Sequence, residues 1–331
     1  MSEVAVRGGP AAWRSMVGTG SEGAGQSWAE AGLDPRRALQ LGLAAIWLLD
    51  GVLQYQPAMY TRAFGQMLAG TAAGNPSVVA RPISWEASLF DHHVVALNTI
   101  FATIQLLLGL GIAIRPTVRL ALAASVAWSL AVWWLGEGLG GVLIGGASPL
   151  NGAPGAVILY ALLAVLLWPA DRATRPRFPA ARAVGAHVAR ALWLVLWLSL
   201  AYFAVTPANR APGAVSGMIS AMTDGEPHWL TGLMKGGASL VTGADLATSI
   251  VLAVALAVIA VGVYLPAPAA RATLLLAIVV SLLIWVFAQA LGGILAGGAT
   301  DPNSGPLLVL LALAYWPARM AGQAGKKEIA P

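Results

Sequence analysis

Apolar residues along this chain fall in long blocks, and polar ones gather between them. Runs long enough to cross about 30 Å of hydrocarbon lie near 38–56, 92–114, 117–136, 189–206, 246–265 and 270–290. Two shorter runs, 154–168 and 305–316, close each half of the chain and bring the expected spans to eight. The pattern predicts an all-α polytopic membrane protein. The long segments 58–90 and 207–245 carry spaced apolar residues and Pro breaks, which predicts interfacial helices lying on the outer leaflet. Residues 1–35 are rich in Gly, Ser and Ala, without the compact apolar stretch of a secretory signal, and read as a disordered cytoplasmic tail.

The pattern repeats. "WVFAQALGGILAGGAT" at 285–300 matches "WWLGEGLGGVLIGGAS" at 133–148, and each continues into a short apolar stretch ending in Trp-Pro-Ala, at 168–170 and 316–318. Upstream, Met67, Gly74, Pro76 and Ala87-Ser88-Leu89 fall on Met218, Gly225, Pro227 and Ala238-Ser239-Leu240 at an offset of 151. Trp47 and Pro57 fall on Trp197 and Pro207 at an offset of 150. This reads as a tandem duplication of a four-helix unit, 36–170 and 190–318, joined by a basic cytoplasmic linker at 171–189 and followed by a cytoplasmic tail at 319–331. An even number of spans per unit makes the two repeats parallel, related by an axis along the membrane normal.

Composition supports a membrane location and narrows the chemistry. The 331 residues are 58% hydrophobic and 10% charged, with mean hydropathy +0.75, far from the charged share of a soluble domain. With eight spans, fifteen Lys and Arg fall on one side and four on the other, which places both termini in the cytoplasm, and sixteen Arg to three Lys suggests a GC-rich bacterial genome and hence a bacterial cytoplasmic membrane. The net charge of +5 is mostly this bias, so a nucleic-acid partner has nothing to support it. The absence of cysteine excludes disulfides, thiolate zinc sites, iron–sulfur clusters and covalently attached c-type haem. No Ser-His-Asp order, phosphate-cradling loop or dinucleotide fingerprint stands out, and no reaction is assigned.

Comparison of the halves separates scaffold from candidate chemistry. Features present twice, such as the Gly-Gly pairs and Trp133/Trp285, read as packing and turn devices. Ionisable residues are concentrated in the first half: Asp50 aligns with Leu200, Gln54 with Ala204, Asp91-His92-His93 with Thr242-Gly243-Ala244, and Glu137 with Gln289. Asp50 and Gln54 share a helix face at i and i+4. Asp91, Asn98 and Gln105 recur every seven residues, and Ser125, Ser129, Trp133 and Glu137 every four. Three helices are thus expected to aim acids, amides and imidazoles at one place near the outer surface, as ligand or proton-relay groups.

A carboxylate in hydrocarbon costs several kcal/mol, so Glu137 is expected to face a wet cavity, pair with a cation or stay protonated. Its alternative is plain hydration at the interface, and the same alternative stands for Asp50. A metal site from one histidine (His93), Asp91 and Glu137 or Asp50 is a further reading, carboxylate-rich and without thiolate. Five of the eight methionines, Met59, Met67, Met218, Met222 and Met234, lie in the long outer segments, which raises soft-metal handling against ordinary amphipathic packing. Asp224, Glu226, His228 and Lys235 read as solvated surface.

The four-span unit resembles the DoxX-type membrane family. The likeness lies in "RALQLGLAAIWLLDGVLQ", then "QLLLGLGIAIRPTVRLALAAS" with its basic turn, then "APGAVILYALLAVLLWPA", over 37–170 and more faintly 190–318. That resemblance implies a small four-helix unit associated with quinone-linked oxidation and membrane redox complexes. Duplication and long outer segments depart from the family pattern. Three functions follow as expectations: a membrane subunit of a quinone-linked redox assembly with other membrane or extracytoplasmic subunits as partners; a transporter for a small solute, proton or metal ion; and a non-catalytic scaffold.

Overall fold

The computed structural model describes residues 33–170 and 176–317, and these are all-helical, with no strand among the described residues. The sequence expectations for 1–32, 171–175 and 318–331 lie outside them. The helices are α1 (Pro35–Leu53), α2 (Arg62–Thr71), α3 (Ser77–Ala113), α4 (Val118–Leu135), α5 (Ala156–Leu166), α6 (Ala181–Val184), α7 (Ala186–Ala204), α8 (Ala214–Ala221), α9 (His228–Val241), α10 (Asp245–Gly262), α11 (Ala267–Phe287) and α12 (Ser304–Ala314). Their starts are chemically marked: the Asp34 side chain accepts the Arg36 N–H at the head of α1, and Pro76, Pro227 and Pro266 immediately precede α3, α9 and α11.

Among the described residues, five segments are long and apolar enough to cross a membrane: Ser77–Ala113, Arg115–Leu135, Ala186–Ala204, Asp245–Gly262 and Ala267–Ala296. Only 28% to 44% of each apolar window is buried inside the protein, so most of it faces outward, as a lipid-facing surface requires. Leu120, Val195 and Val251 are among the exposed side chains. α1 has the length but carries Arg36, Arg37 and Asp50. α5 and α12, 11 residues each, are about 16 Å long. Most of their side chains are buried by other helices.

The start of the second long helix differs from the sequence expectation. A span was expected from about residue 92, yet α3 runs 37 residues from Ser77. It bends at His93, whose φ of −134° and ψ of 30° are not helical. Beyond the bend, 94–113 is about 30 Å long, one membrane thickness. The corresponding stretch of the second half breaks completely between α9 and α10, at Thr242–Ala244. Within 171–189, the described part holds α6 and the start of α7, so Arg190 belongs to a helix.

α1 packs on α3, α3 on α4 and α4 on α5; α7 packs on α10, α10 on α11 and α11 on α12. The two sets meet where α12 contacts α5 and α1. One continuous core joins them, with Trp47, Tyr160, Trp193 and Trp197 fully buried. Two of the buried indoles have specific acceptors: Trp47 Nε1 donates to Ser125 Oγ at 3.0 Å and Trp193 Nε1 to the Ile259 carbonyl at 2.9 Å, whereas Trp197 Nε1 has no partner. At one end of the bundle Arg37 reaches the Ile112 and Ala113 carbonyls and Arg119 the Pro169 carbonyl, cations placed on helix C-termini.

Candidate functional site

After α4 the chain enters a glycine-rich loop. Gly138, Leu139, Gly140 and Gly141 all have φ between 54° and 71°, a left-handed run that no helix continues through. Leu139 has a Cβ and still adopts φ 57°, a costly conformation. Trp133 Nε1 donates to the Pro154 carbonyl at 2.6 Å and ties the loop's far end to α4. A Cβ on Gly155, itself at φ 118°, would lie 2.2 Å from Glu137 Oε2 and 2.7 Å from Trp133 Cδ1. Only glycine there lets the loop close over the carboxylate.

Glu137 sits where the loop starts. Its Oε1 accepts the Val157 N–H at 3.1 Å, at the N-terminus of α5, where backbone donors lack intrahelical partners. Its Oε2 has no partner. The carboxylate therefore anchors α5 with one oxygen and offers the other to a cavity.

That cavity, about 140 Å³, is lined by α1, α2, α3, α4, α5 and the loop before α12. Seven of its lining residues hold a buried polar atom without a hydrogen-bond partner: Asp50 Oδ1, Gln54 Oε1, Glu86 Oε2 and Gln105 Oε1, with Trp128 Nε1, Glu137 Oε2 and the Tyr160 hydroxyl. Buried polar groups in folded proteins are nearly always satisfied, so seven orphans around one space mark a site for water or a ligand. The Tyr160 hydroxyl interacts electrostatically with the Asp50 carboxyl without reaching hydrogen-bond geometry. The remaining wall is mostly apolar, with Trp47, Phe64 and Phe101 as its further aromatic members, and Phe90 packs behind it. Phe64, Phe90, Phe101 and Trp128 form a chain of edge-on ring contacts at 4.9, 5.2 and 5.0 Å, and Trp47 lies 4.3 Å from Tyr160.

A second cavity of about 530 Å³ lies under the glycine loop. It shares Met67, Gly136, Glu137 and Asp301 with the first, so the two carboxylates stand at the neck between them. Both lie in loops outside the membrane-spanning segments. Burial, together with the nearby Asp301 charge, pushes the Glu137 carboxyl up to about 8, against the lowering pull of the Val157 and Ala156 N–H groups. Burial also raises Asp301, opposed by the Thr300 hydroxyl and the Asn303 N–H.

The sequence candidates divide. Asp50, Gln54, Gln105 and Glu137 line the inner cavity. Asn98 is fully buried beside it and donates to the Gln54 carbonyl at 2.7 Å, joining α3 to the end of α1. Trp133 is a loop anchor, outside both cavity walls. Asp91, His92 and His93 are exposed. The bend at His93 is the reason: the seven-residue line through Asn98 and Gln105 does not carry across it, and Asp91 faces α2, where a Cβ on Gly65 would lie 2.9 Å from its Oδ1. His92 Nδ1 is occupied by the Ser88 carbonyl at 2.8 Å.

The reading of a metal on His93, Asp91 and Glu137 therefore meets a different arrangement: among the described residues no three His, Asp or Glu lie close enough together to hold a metal ion. The methionines do not converge either, since Met59 and Met234 are buried in separate apolar clusters.

Sequence reasoning missed Glu86, Trp128, Tyr160 and Asp301. Glu86 fell in a segment read as interfacial, and Tyr160 in an unbroken apolar run. Asp301 comes from the second half, in a stretch that reads as a plain turn; "TDPNS" offers only Asx-turn chemistry, which it does show, with Asp301 Oδ1 accepting the Asn303 N–H at 2.7 Å. Asp245 was missed as well: it accepts the Gly213, Val215 and Ser216 N–H groups and caps α8. Compared with protein-family models, curated protein sequences and solved structures, the chain matches none.

Proposed function

We propose that this protein is the integral membrane subunit of a quinone-linked redox assembly, binding a quinone-like lipophilic ring in the cavity between Asp50 and Glu137. The observation that carries this reading is the set of seven unpartnered polar atoms around one space whose other walls are apolar and partly aromatic. A flat ring bearing oxygens meets both demands: its faces lie on the apolar and aromatic side chains, its oxygens accept from indole, hydroxyl and protonated carboxyl groups, and once reduced its hydroxyls donate to amide and carboxyl oxygens. When bound, a quinone supplies two-electron, two-proton redox chemistry. Trp128 Nε1 and the Tyr160 hydroxyl would donate to its oxygens, and the Gln54 and Gln105 amide oxygens would accept from the hydroxyls of the reduced ring. Glu137 and Asp301, at the neck, would pass protons between the inner cavity and the space under the glycine loop. Electrons would come from an electron-carrying membrane or extracytoplasmic partner subunit, as this chain has no cysteine for an iron–sulfur centre.

The wider arrangement proposed with it is two parallel four-helix repeats with eight spans, of DoxX type, in a bacterial cytoplasmic membrane with both termini inside. Its support is the twin geometry of the loops. Leu291, Gly292 and Gly293 repeat the left-handed run of Leu139, Gly140 and Gly141, and Trp285 Nε1 donates to the Pro302 carbonyl at 2.7 Å as Trp133 does to Pro154. In the second half Gln289 donates to Ser304 Oγ at 2.8 Å, an uncharged version of the Glu137 anchor.

The test is quinone retention after purification in mild detergent, with binding of a short-chain quinone followed by tryptophan quenching. Asp50→Asn and Glu137→Gln are each expected to weaken binding roughly tenfold, the effect of a lost buried polar contact. Unchanged binding in both variants would sink the reading. The shared neck also favours transport of a small solute or proton, which the same variants would abolish in proteoliposome counterflow. If neither assay responds, the chain is a scaffold.

A further inference from the structure

We propose that the basic end of the bundle holds the headgroup of an anionic phospholipid, at a site separate from the polar cavity and independent of the function proposed for it. A cavity of about 570 Å³ opens between the start of α1, the segment before α6, the start of α11 and the end of α12. Arg36, Arg182 and Arg271 line it, with Asp34 the one acid among its described lining residues; Asp34 Oδ1 pairs with Arg182 at 2.7 Å. Arg271 is exposed and makes no hydrogen bond or ion pair among the described residues. Arg271 therefore leaves the pocket a guanidinium to spare, and planar guanidinium donors match phosphate oxygens.

The rest of the wall distinguishes a lipid from a free anion. Phe178, Leu313 and Trp316 line the same cavity, and Leu313 is 41% exposed on an otherwise enclosed helix. α11, which supplies Arg271, belongs to a membrane-crossing segment. Phosphate beside an apolar wall at the end of a spanning helix is the chemistry of a phospholipid with its chains running along the protein, and inorganic phosphate would use only the arginines. A smaller cavity, about 140 Å³, shares Phe178 with it and adds Arg177 and Arg190. Arg190 Nε is buried without a partner while its guanidinium stacks 5.5 Å from the Tyr264 ring, so positive charge continues past the first pocket.

Native mass spectrometry of the full chain, with dioleoyl phosphatidylglycerol or phosphatidylcholine added, tests this. The anionic lipid is expected to be retained over the zwitterionic one, with Arg271→Gln lowering its affinity roughly fivefold, the effect of one interfacial arginine, and Arg182→Gln/Arg271→Gln lowering it further. Arg271→Lys should keep most of the binding. Equal retention of the two lipids, or unchanged retention in the double variant, overturns the proposal. So does competition by millimolar inorganic phosphate that removes the lipid completely, because the arginines alone would then account for binding. Should the double variant fail to fold, Arg271→Gln decides the matter, as its exposed position leaves the packing intact.

Discussion

The two oxygens of Glu137 have different surroundings. One oxygen holds the first turn of α5 through the Val157 N–H, while the other faces the cavity unpartnered. A mere interfacial carboxylate would be hydrated on both. Because an ordinary glutamate titrates near 4.5 and this one near 8, the folded state holds more protons than the unfolded state between those values. Stability should therefore be greatest below about pH 4.5 as far as this group is concerned, and fall as pH rises to about 8. Glu137→Gln is expected to flatten that slope, leaving a contribution of the same sign from Asp301, whose carboxyl is also raised. Thermal midpoints measured across the window check it; a wild-type midpoint that climbs with pH would contradict the burial of the carboxylate.

The loops work as elements. Each begins after a spanning helix, turns through consecutive left-handed residues, and is fastened by an indole N–H to a proline carbonyl further along, 21 residues on in the first half and 17 in the second. In the second half this fastening has a consequence for the first, because the fastened proline is Pro302 and its neighbour Asp301 reaches the inner cavity. Trp285→Phe is expected to leave the Pro302 carbonyl unpaired, at a stability cost of about 1–3 kcal/mol. It should also weaken ligand binding in the distant cavity, whereas a purely local role for the loop would lower the thermal midpoint alone. The bend in α3 acts in the same manner at a distance. By breaking the helix at His93 it lets 94–113 stand as a membrane-length segment while Glu86, before the bend, still reaches the cavity wall.

At the scale of the molecule, the two halves are not separable units. α5 is buried on nearly every face, partly by α12, and Gly42 of α1 has room only for Leu310, whose Cδ1 would lie 2.9 Å from an added Cβ. The Asn209 amide of the second half donates to the Ala147 carbonyl of the first at 2.7 Å. A fragment ending in the 171–175 stretch would expose the apolar face of α5 and lack Asp301. Such a fragment expressed alone is expected to be unstable and to bind no quinone, and co-expression with the remainder of the chain should restore a complex that co-purifies. Full ligand binding by the first fragment alone would show that Asp301 and α12 are dispensable.

Long apolar runs determined the helical class and the membrane-crossing segments, because a span must satisfy its backbone internally and present apolar side chains to lipid whatever surrounds it. α4, α10 and α11 accordingly lie close to their expected bounds of 117–136, 246–265 and 270–290. Asp50, Gln54, Gln105 and Glu137 were legible as candidates because charge and amide are costly in such runs. The bend at His93, the exposure of Asp91, His92 and His93, and the arrival of Asp301 from the other half were decided only by tertiary structure. Periodicity describes one helix relative to itself; it cannot say where a helix bends against its neighbours, or which distant loop is packed against a given face.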